Sequence, residues 1–247
     1  MATIYDKSVG ELLKDIVDTW SDSNGVFVKK DVIDWFNKNY PNIKDSTVSA
    51  HITKFSVNNK NRVHYHAHLD GRDDILFKIN EHTYRKYNST TDSEPIYKFE
   101  SKEQIVSEEE DDDREYDTAF AYEKDLKNYL AKNLEIIEPG LKLFEEDGIN
   151  GLEYEVNGRF IDILAVDKNK NFVVIELKVS KSYDRVIGQL LRYKNWIQKE
   201  LANSGQLVRG IIIASELSDD LKIACMGLPN IQLYEYELSV RLFERSF

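Results

Sequence analysis

Apolar residues recur every three or four positions at Leu12, Leu13, Ile16, Val17 and Trp20, which places them on one stripe of a helix. A second stripe, Val32, Ile33 and Phe36, predicts a helix from Lys29 to Asn39, with Pro41 just beyond its end. A third, Val48, Ile52 and Phe55, predicts a helix starting near Asp45 or Ser46, both good N-caps. Its other face shows Ser46, Ser49, Thr53 and Lys54. Next come RVHYHAH and DILFKI, predicted as two strands joined by the turn-rich LDGRD. Further along, AFAYEKDLKNYLAKNLE predicts an amphipathic helix over 119–134, with Leu126, Leu130 and Leu134 inward. Lys124, Asp125, Lys127 and Asn128 form its more solvated side. Strands are predicted near 152–156, 159–166, 172–179 and 208–214, and a helix over 183–201. Asn157-Gly158 is a tight turn between the first two of these strands.

Composition divides the chain. Residues 88–118 are rich in Ser, Thr and acids, and Glu108 to Asp113 is an unbroken acidic run. Such a segment buries too little apolar surface to offset its ordering entropy and reads as a flexible tether. The expected organisation is therefore a domain over 1–87, a linker over 88–118 and a second domain over 119–247. Net charge is −11, a value that argues against a nucleic-acid partner until its distribution is considered. Residues 1–99 balance at zero, residues 100–118 carry −8 and the remainder −3. The tether holds most of the excess, so whole-chain charge does not decide the partner. No apolar run approaches the roughly 20 residues of a membrane span, and the N-terminus lacks the features of a secretory signal. Cys225 is the only cysteine, which excludes an intrachain disulfide and a CxxC metal site. A cytoplasmic protein without membrane contact is expected.

Two acids lie inside the most apolar strands: Asp162 in FIDIL and Glu176 in VVIEL. If the loop DKNKN is symmetric about Asn169, Asp162 falls opposite Glu176, with Cβ atoms about 4.5–5.5 Å apart. Lys178 points to the same face, whereas Val173, Ile175 and Leu177 point to the other. Two carboxylates converging with a lysine invite a divalent cation, since hard oxygen ligands suit magnesium. Glu123 lies on the inward stripe of its helix, an unusual place for an acid. Gln189 and Tyr193, four apart on the later helix, are neighbours. The competing reading of Asp162, Glu176 and Lys178 is a structural ion-pair network. Three histidines, His64, His66 and His68, alternate along a predicted strand. They read as a solvent- or DNA-facing surface, with a metal site as the alternative.

Helix Glu, strand Asp, then Glu176-Leu177-Lys178 and QxxxY form the signature order of the PD-(D/E)XK nuclease superfamily, which this segment resembles. More narrowly, residues 119–240 resemble the catalytic domain of NucS-type (EndoMS) endonucleases in YEKDLKNYLAKNLEIIEPGL, GRFIDILAVD, VVIELKVSKS, GQLLRY and VRGIIIAS. That resemblance implies active-site positions at Glu123, Asp162, Glu176, Lys178, Gln189 and Tyr193. It implies Mg²⁺ or Mn²⁺ held by Asp162, Glu176, the Leu177 carbonyl and Glu123. Residues 8–87 resemble the winged helix-turn-helix modules fused to restriction-type nucleases. In such modules the third helix enters the major groove, which would bring Ser46, Thr47, Ser49 and Lys54 to bases and Lys60, Arg62 and Arg72 to phosphates. NucS-type proteins have a different, β-rich N-terminal domain. The terminal Arg241-Leu242-Phe243 is loosely similar to sliding-clamp-binding tails, with core burial the competing reading.

The expected fold class is α/β, a winged helix tethered to a restriction-endonuclease-like domain with a central mixed sheet. The expected function is a metal-dependent endonuclease acting on double-stranded DNA in restriction or defence, with a homodimer left open. Two alternatives stand beside it: a NucS-like repair enzyme for mismatched or branched DNA, and a DNA-bound regulator with an inactive nuclease-like domain.

Overall fold

A computed structural model describes residues 5–21, 25–98, 116–156, 158–178 and 183–238. Its elements in chain order are α1 (Val9–Ser21), β1 (Val26–Val28), α2 (Lys29–Asn39), α3 (Asp45–Phe55), β2 (Leu76–Lys78), β3 (Thr83–Lys86) and α4 (Tyr116–Lys132). There follow β4 (Lys142–Leu143), β5 (Glu145–Glu146), β6 (Ile149–Asn150), β7 (Leu152–Val156), β8 (Arg159–Val166) and β9 (Phe172–Lys178). The chain continues with α5 (Tyr183–Glu200), β10 (Val208–Ala214), α6 (Asp219–Cys225) and β11 (Ile231–Glu235). They fall into two compact units that do not follow chain order. One comprises Met1–Asp112, Phe144–Phe160 and Lys199–Leu201; the other comprises Asp113–Leu143, Ile161–Gln198 and Ala202–Phe247.

In the first unit α1 is set by a capping box. Ser8 N–H donates to Glu11 Oε2 at 2.8 Å, and Glu11 N–H returns to Ser8 Oγ at 3.2 Å. Its apolar stripe, Val9, Leu12, Leu13, Ile16 and Val17, is buried with Val32, Phe36, Val48, Ile52 and Phe55 from α2 and α3. Helix α3 starts at Asp45 as the spacing predicts, but its N-cap is Lys44 and no side chain caps it. The small sheet has the order β1-β3-β2, with Phe27 opposite Tyr84 and Phe77 opposite Arg85. Leu76 and Tyr84 enter the core.

The predicted strand RVHYHAH is not a strand. Residues Lys60–Tyr65 form a 3-10 helix, and His66 is left-handed at φ 48°. Asn59 starts the turn by accepting the Asn61 N–H at 3.1 Å. Arg62 then draws the segment inward. Its side chain is completely buried, with Nε donating to the Lys54 carbonyl at 2.8 Å, an ion pair to Asp74 and the Tyr97 ring 4.9 Å from its guanidinium carbon. The three histidines accordingly separate. His64 bonds Glu153 at 2.8 Å, His68 bonds Asp73 at 2.6 Å, and His66 is exposed. The hairpin forms one step later, β2 to β3, and LDGRD is not its turn.

The linker boundary also moves. Asp92 bonds Arg85, Ile96 N–H donates to the Val57 carbonyl at 2.9 Å, and Tyr97 hydroxyl bonds Asp74, so residues 88–98 belong to the first unit. The acidic run 108–113, Asn157 of the predicted tight turn and Arg241-Leu242-Phe243 lie outside the described residues.

The second unit is built on the sheet β11-β10-β9-β8-β4. Strands β9, β10 and β11 run parallel, and β8 runs antiparallel to β9 and to β4, giving the mixed sheet expected. Strand β9 is buried along Phe172 to Leu177 on both faces, the pattern of a central strand. Gly210 on β10 lets α5 lie close, since a Cβ there would meet Leu190 at 2.8 Å. The β8–β9 loop is held by Asp167, whose Oδ1 accepts Asn169 N–H at 2.9 Å and Asn171 N–H at 2.8 Å. No described helix is long and apolar enough to cross a membrane.

Arg62 at a phosphate would be dispensable for stability; Arg62 as found is not. Arg62→Met removes one partner of a buried ion pair, and the expected loss is about 3–5 kcal/mol, measured by urea unfolding followed by circular dichroism.

Candidate active site on strands β8 and β9

The ladder pairs Ile163 with Ile175 and Leu164 with Val174, the register that loop symmetry predicts, and it ends there, one residue short of Asp162 and Glu176. Each carboxylate reaches toward the backbone across the ladder. Asp162 Oδ2 accepts the Leu177 N–H at 2.9 Å, and Glu176 Oε1 lies 3.5 Å from the Asp162 nitrogen. Glu176 is 1% exposed. Burial first, then the charge of Asp162, holds its carboxyl well above the ordinary range, against the opposing pull of Lys178. Lys178 is half-buried at the end of β9.

A second lysine, Lys127, enters from α4. It belongs to the side expected to be solvated, yet its side chain is only 12% exposed and its Nζ lies 3.4 Å from Asp162 Oδ1. The sequence held a signal for this: Lys127 is four residues after Glu123, hence beside it on the helix. Glu123 is half-buried and its charge is felt by Tyr236, whose phenol is pushed up mainly by burial. Among the described residues no three His, Cys, Asp or Glu side chains come together to hold a metal ion. Glu123 is thus not gathered with Asp162 and Glu176, and His64, His66 and His68 are not gathered with one another either. On α5, Gln189 Nε2 donates to Tyr193 hydroxyl at 3.3 Å, and Tyr193 is buried.

The donor set still fits a hard divalent cation. Magnesium commonly takes one or two carboxylates and completes its shell with water and substrate oxygens. Asp162 and Glu176 supply two carboxylates whose mutual repulsion such a cation would relieve.

Residues 122–231 match the family described as the Endonuclease NucS C-terminal domain. That segment is similar to a NucS-type domain. Residues 8–86 match a family described only as a domain of unknown function, DUF7669. Endonuclease NucS of Pyrococcus abyssi (strain GE5 / Orsay) is 32% identical over 100 residues, 40% of this chain and 36% of that protein. The same protein of Pyrococcus horikoshii is 32% identical over 101 residues, again 40% and 36%. The likeness therefore spans 36% of the length of these curated relatives. Among solved structures, a repair endonuclease from Pyrococcus abyssi aligns at 26% identity and TM-score 0.38, over 52% of this chain and 50% of that one. An EndoMS–dsDNA complex aligns at 25% identity and TM-score 0.40, over 54% and 51%.

The face expected to read DNA in the N-terminal domain is largely covered. Thr47 and Lys54 are buried, Ser46 and Ser49 half-buried, and Arg62 completely buried; Lys60 and Arg72 are exposed. Arg72 is paired with Asp70. At Thr47 and Lys54 the covering element is the hairpin β5–β6, which lies on α3 within the first unit. Thr47 Oγ1 donates to Glu146 Oε2 at 2.9 Å, and Lys54 Nζ donates to the Gly148 carbonyl at 3.1 Å.

Inside the NucS-matched segment, Glu176→Gln keeps the shape and replaces a carboxyl whose charged form burial and Asp162 both oppose. It should raise the Tm in EDTA, by about 2–4 °C for each kcal/mol gained in a chain of this size. Lys127→Met, which removes a cation facing Asp162, should lower it. Differential scanning calorimetry at neutral pH compares both with the unaltered chain.

Proposed function

We propose that the protein is a metal-dependent DNA endonuclease of the NucS type. The observation that carries this reading is the meeting of Asp162 and Glu176 just past the end of the β8–β9 ladder, within a segment matched to the NucS family. The likeness to proteins named Endonuclease NucS favours repair of mismatched or branched duplexes over restriction of intact ones. The N-terminal small domain reads as a winged helix-turn-helix, supported by its helix–strand–helix–helix–hairpin order and its β1-β3-β2 sheet. We take it as the part that selects the duplex, because phosphodiester chemistry carries no sequence information.

Asp162 and Glu176 would hold Mg²⁺ or Mn²⁺, with the Leu177 carbonyl beside them. When bound, such a cation polarises a scissile phosphate and lowers the pKa of an attacking water. Lys178 would orient that water and offset charge building on the phosphate oxygens. Lys127 keeps Asp162 in place through its 3.4 Å contact. Tyr193, buried and bonded to Gln189, holds that amide in position on α5. Glu123 supports the site from α4, acting through water or through Lys127.

The test incubates the full chain with Mg²⁺, Mn²⁺ or EDTA and with matched, mismatched, branched and methylated duplexes. Cleavage is expected with metal, strongest on mismatched or branched duplexes. Asp162→Ala and Glu176→Ala should abolish it while the chain stays folded, and Lys178→Ala should lower kcat by about 10²–10³-fold. Retained turnover in both carboxylate variants would refute the site. Metal-independent binding without cleavage by the unaltered chain would favour the inactive-regulator reading instead.

A further inference from the structure

Three groups of the kinds that bind phosphate lie together on the first unit. They are the Thr47 hydroxyl and the Lys54 ammonium on α3, and the Val9 N–H in the first turn of α1. Each meets an oxygen of the hairpin β5–β6. Thr47 donates to the Glu146 carboxylate, Val9 N–H to the Asp147 carboxylate, and Lys54 to the Gly148 carbonyl. An anion at a helix amino end is favoured by both its free N–H groups and its dipole. A hydroxyl and a lysine beside that end complete a set that suits a nucleic-acid backbone. The hairpin fills the set with the run Glu145-Glu146-Asp147, turned back by a two-residue loop in which Asp147 has φ 53° and Gly148 φ 80°.

This contact is polar where a permanent one would be expected to be apolar. Lys54 is 5% exposed, and its ammonium finds a carbonyl at 3.1 Å and Asp73 at 3.8 Å. Burial lowers the affinity of that amine for its proton. His51 turns both ring nitrogens to carbonyl oxygens, Thr47 at 2.9 Å and Asp147 at 3.1 Å, and a neutral ring can donate to only one of them. A seam of buried charge gains little over a well-packed apolar one of the same volume. It has a use if the same groups serve a second, charged ligand.

We propose that α3 and the amino end of α1 form a duplex-DNA-binding face, which the acidic hairpin β5–β6 holds closed by occupying its phosphate-binding groups. The proposal rests on the winged-helix reading of the N-terminal domain and assigns that domain a state in which its reader is masked. Duplex DNA and the hairpin compete for Thr47, Lys54 and the α1 amino end. DNA binding therefore lifts the hairpin, and the segment Phe144–Phe160 that carries it is freed together with its other bonds, such as Tyr65 to Glu155 at 2.8 Å.

The experiment measures binding of the full chain to a short fluorescein-labelled duplex by anisotropy in EDTA, so that cleavage does not enter. Glu146→Gln combined with Asp147→Asn should tighten Kd about tenfold, equivalent to about 1.4 kcal/mol of competition removed. Glu145→Gln removes an exposed charge from the same hairpin and controls for simple repulsion by DNA. It should change Kd by less than about twofold. Equal effects from the pair and the control overturn the proposal. Lys54→Gln added to the released pair should reverse the gain, and a gain that persists overturns it as well. Hydrogen exchange of the unaltered chain covers the case in which a variant misfolds: amides 145–150 should lose protection at saturating duplex, and unchanged protection overturns the proposal. A failure of the nuclease reading would show separately, as absence of metal-dependent cleavage with these binding results intact.

Discussion

Two carboxylates brought together at the end of an antiparallel ladder repel, and where they are buried there is little water to screen them. The second unit is organised around offsetting that repulsion at Asp162 and Glu176. The Leu177 N–H bonds Asp162, Lys127 approaches it from α4, and Lys178 follows Glu176 on the strand. Glu176 is left with a proton affinity well above that of a free side chain, because burial and Asp162 outweigh the lysine.

Such a pair works only if the register is fixed, since a one-residue slip would move each acid to the opposite face. The β8–β9 loop supplies that control. Asp167 bonds the backbone of Asn169 and Asn171, Lys170 takes φ 64°, and the loop closes with Asp167 N–H on the Asn171 carbonyl at 2.9 Å. Arg209 on the neighbouring strand lies 3.5 Å from Asp167 and pairs with Glu138 at 2.6 Å, which ties the loop to the rest of the unit. The metal-binding geometry proposed for the site thus depends on residues some distance along the strands from it.

The first unit shows a different use of charge. Its α3 carries Ser, Thr and Lys on the face away from the Val48, Ile52 and Phe55 stripe, and Thr47 and Lys54 of that face meet a hairpin from within the NucS-matched segment. Under the proposal made above, this contact would link the selection of a duplex to a rearrangement of the segment that leads into β8.

Local pattern determined much of this protein. The helices at Lys29–Asn39 and Asp45–Phe55, the strands at 152–156 and 159–166 and the β8–β9 register follow from periodicity and loop symmetry, which act between near neighbours in sequence. Periodicity misled at RVHYHAH, where alternation suggested a strand but Arg62 found Asp74 and Tyr97 and pulled the segment into a 3-10 helix. It also misplaced Lys127, Thr47 and Lys54. A polar side chain on the outer face of a helix has the same sequence signature whether it meets water or a partner. Which one it meets was decided by Asp162, Glu146 and Gly148, segments far away in the chain, and only tertiary packing brings those oxygens within hydrogen-bonding distance.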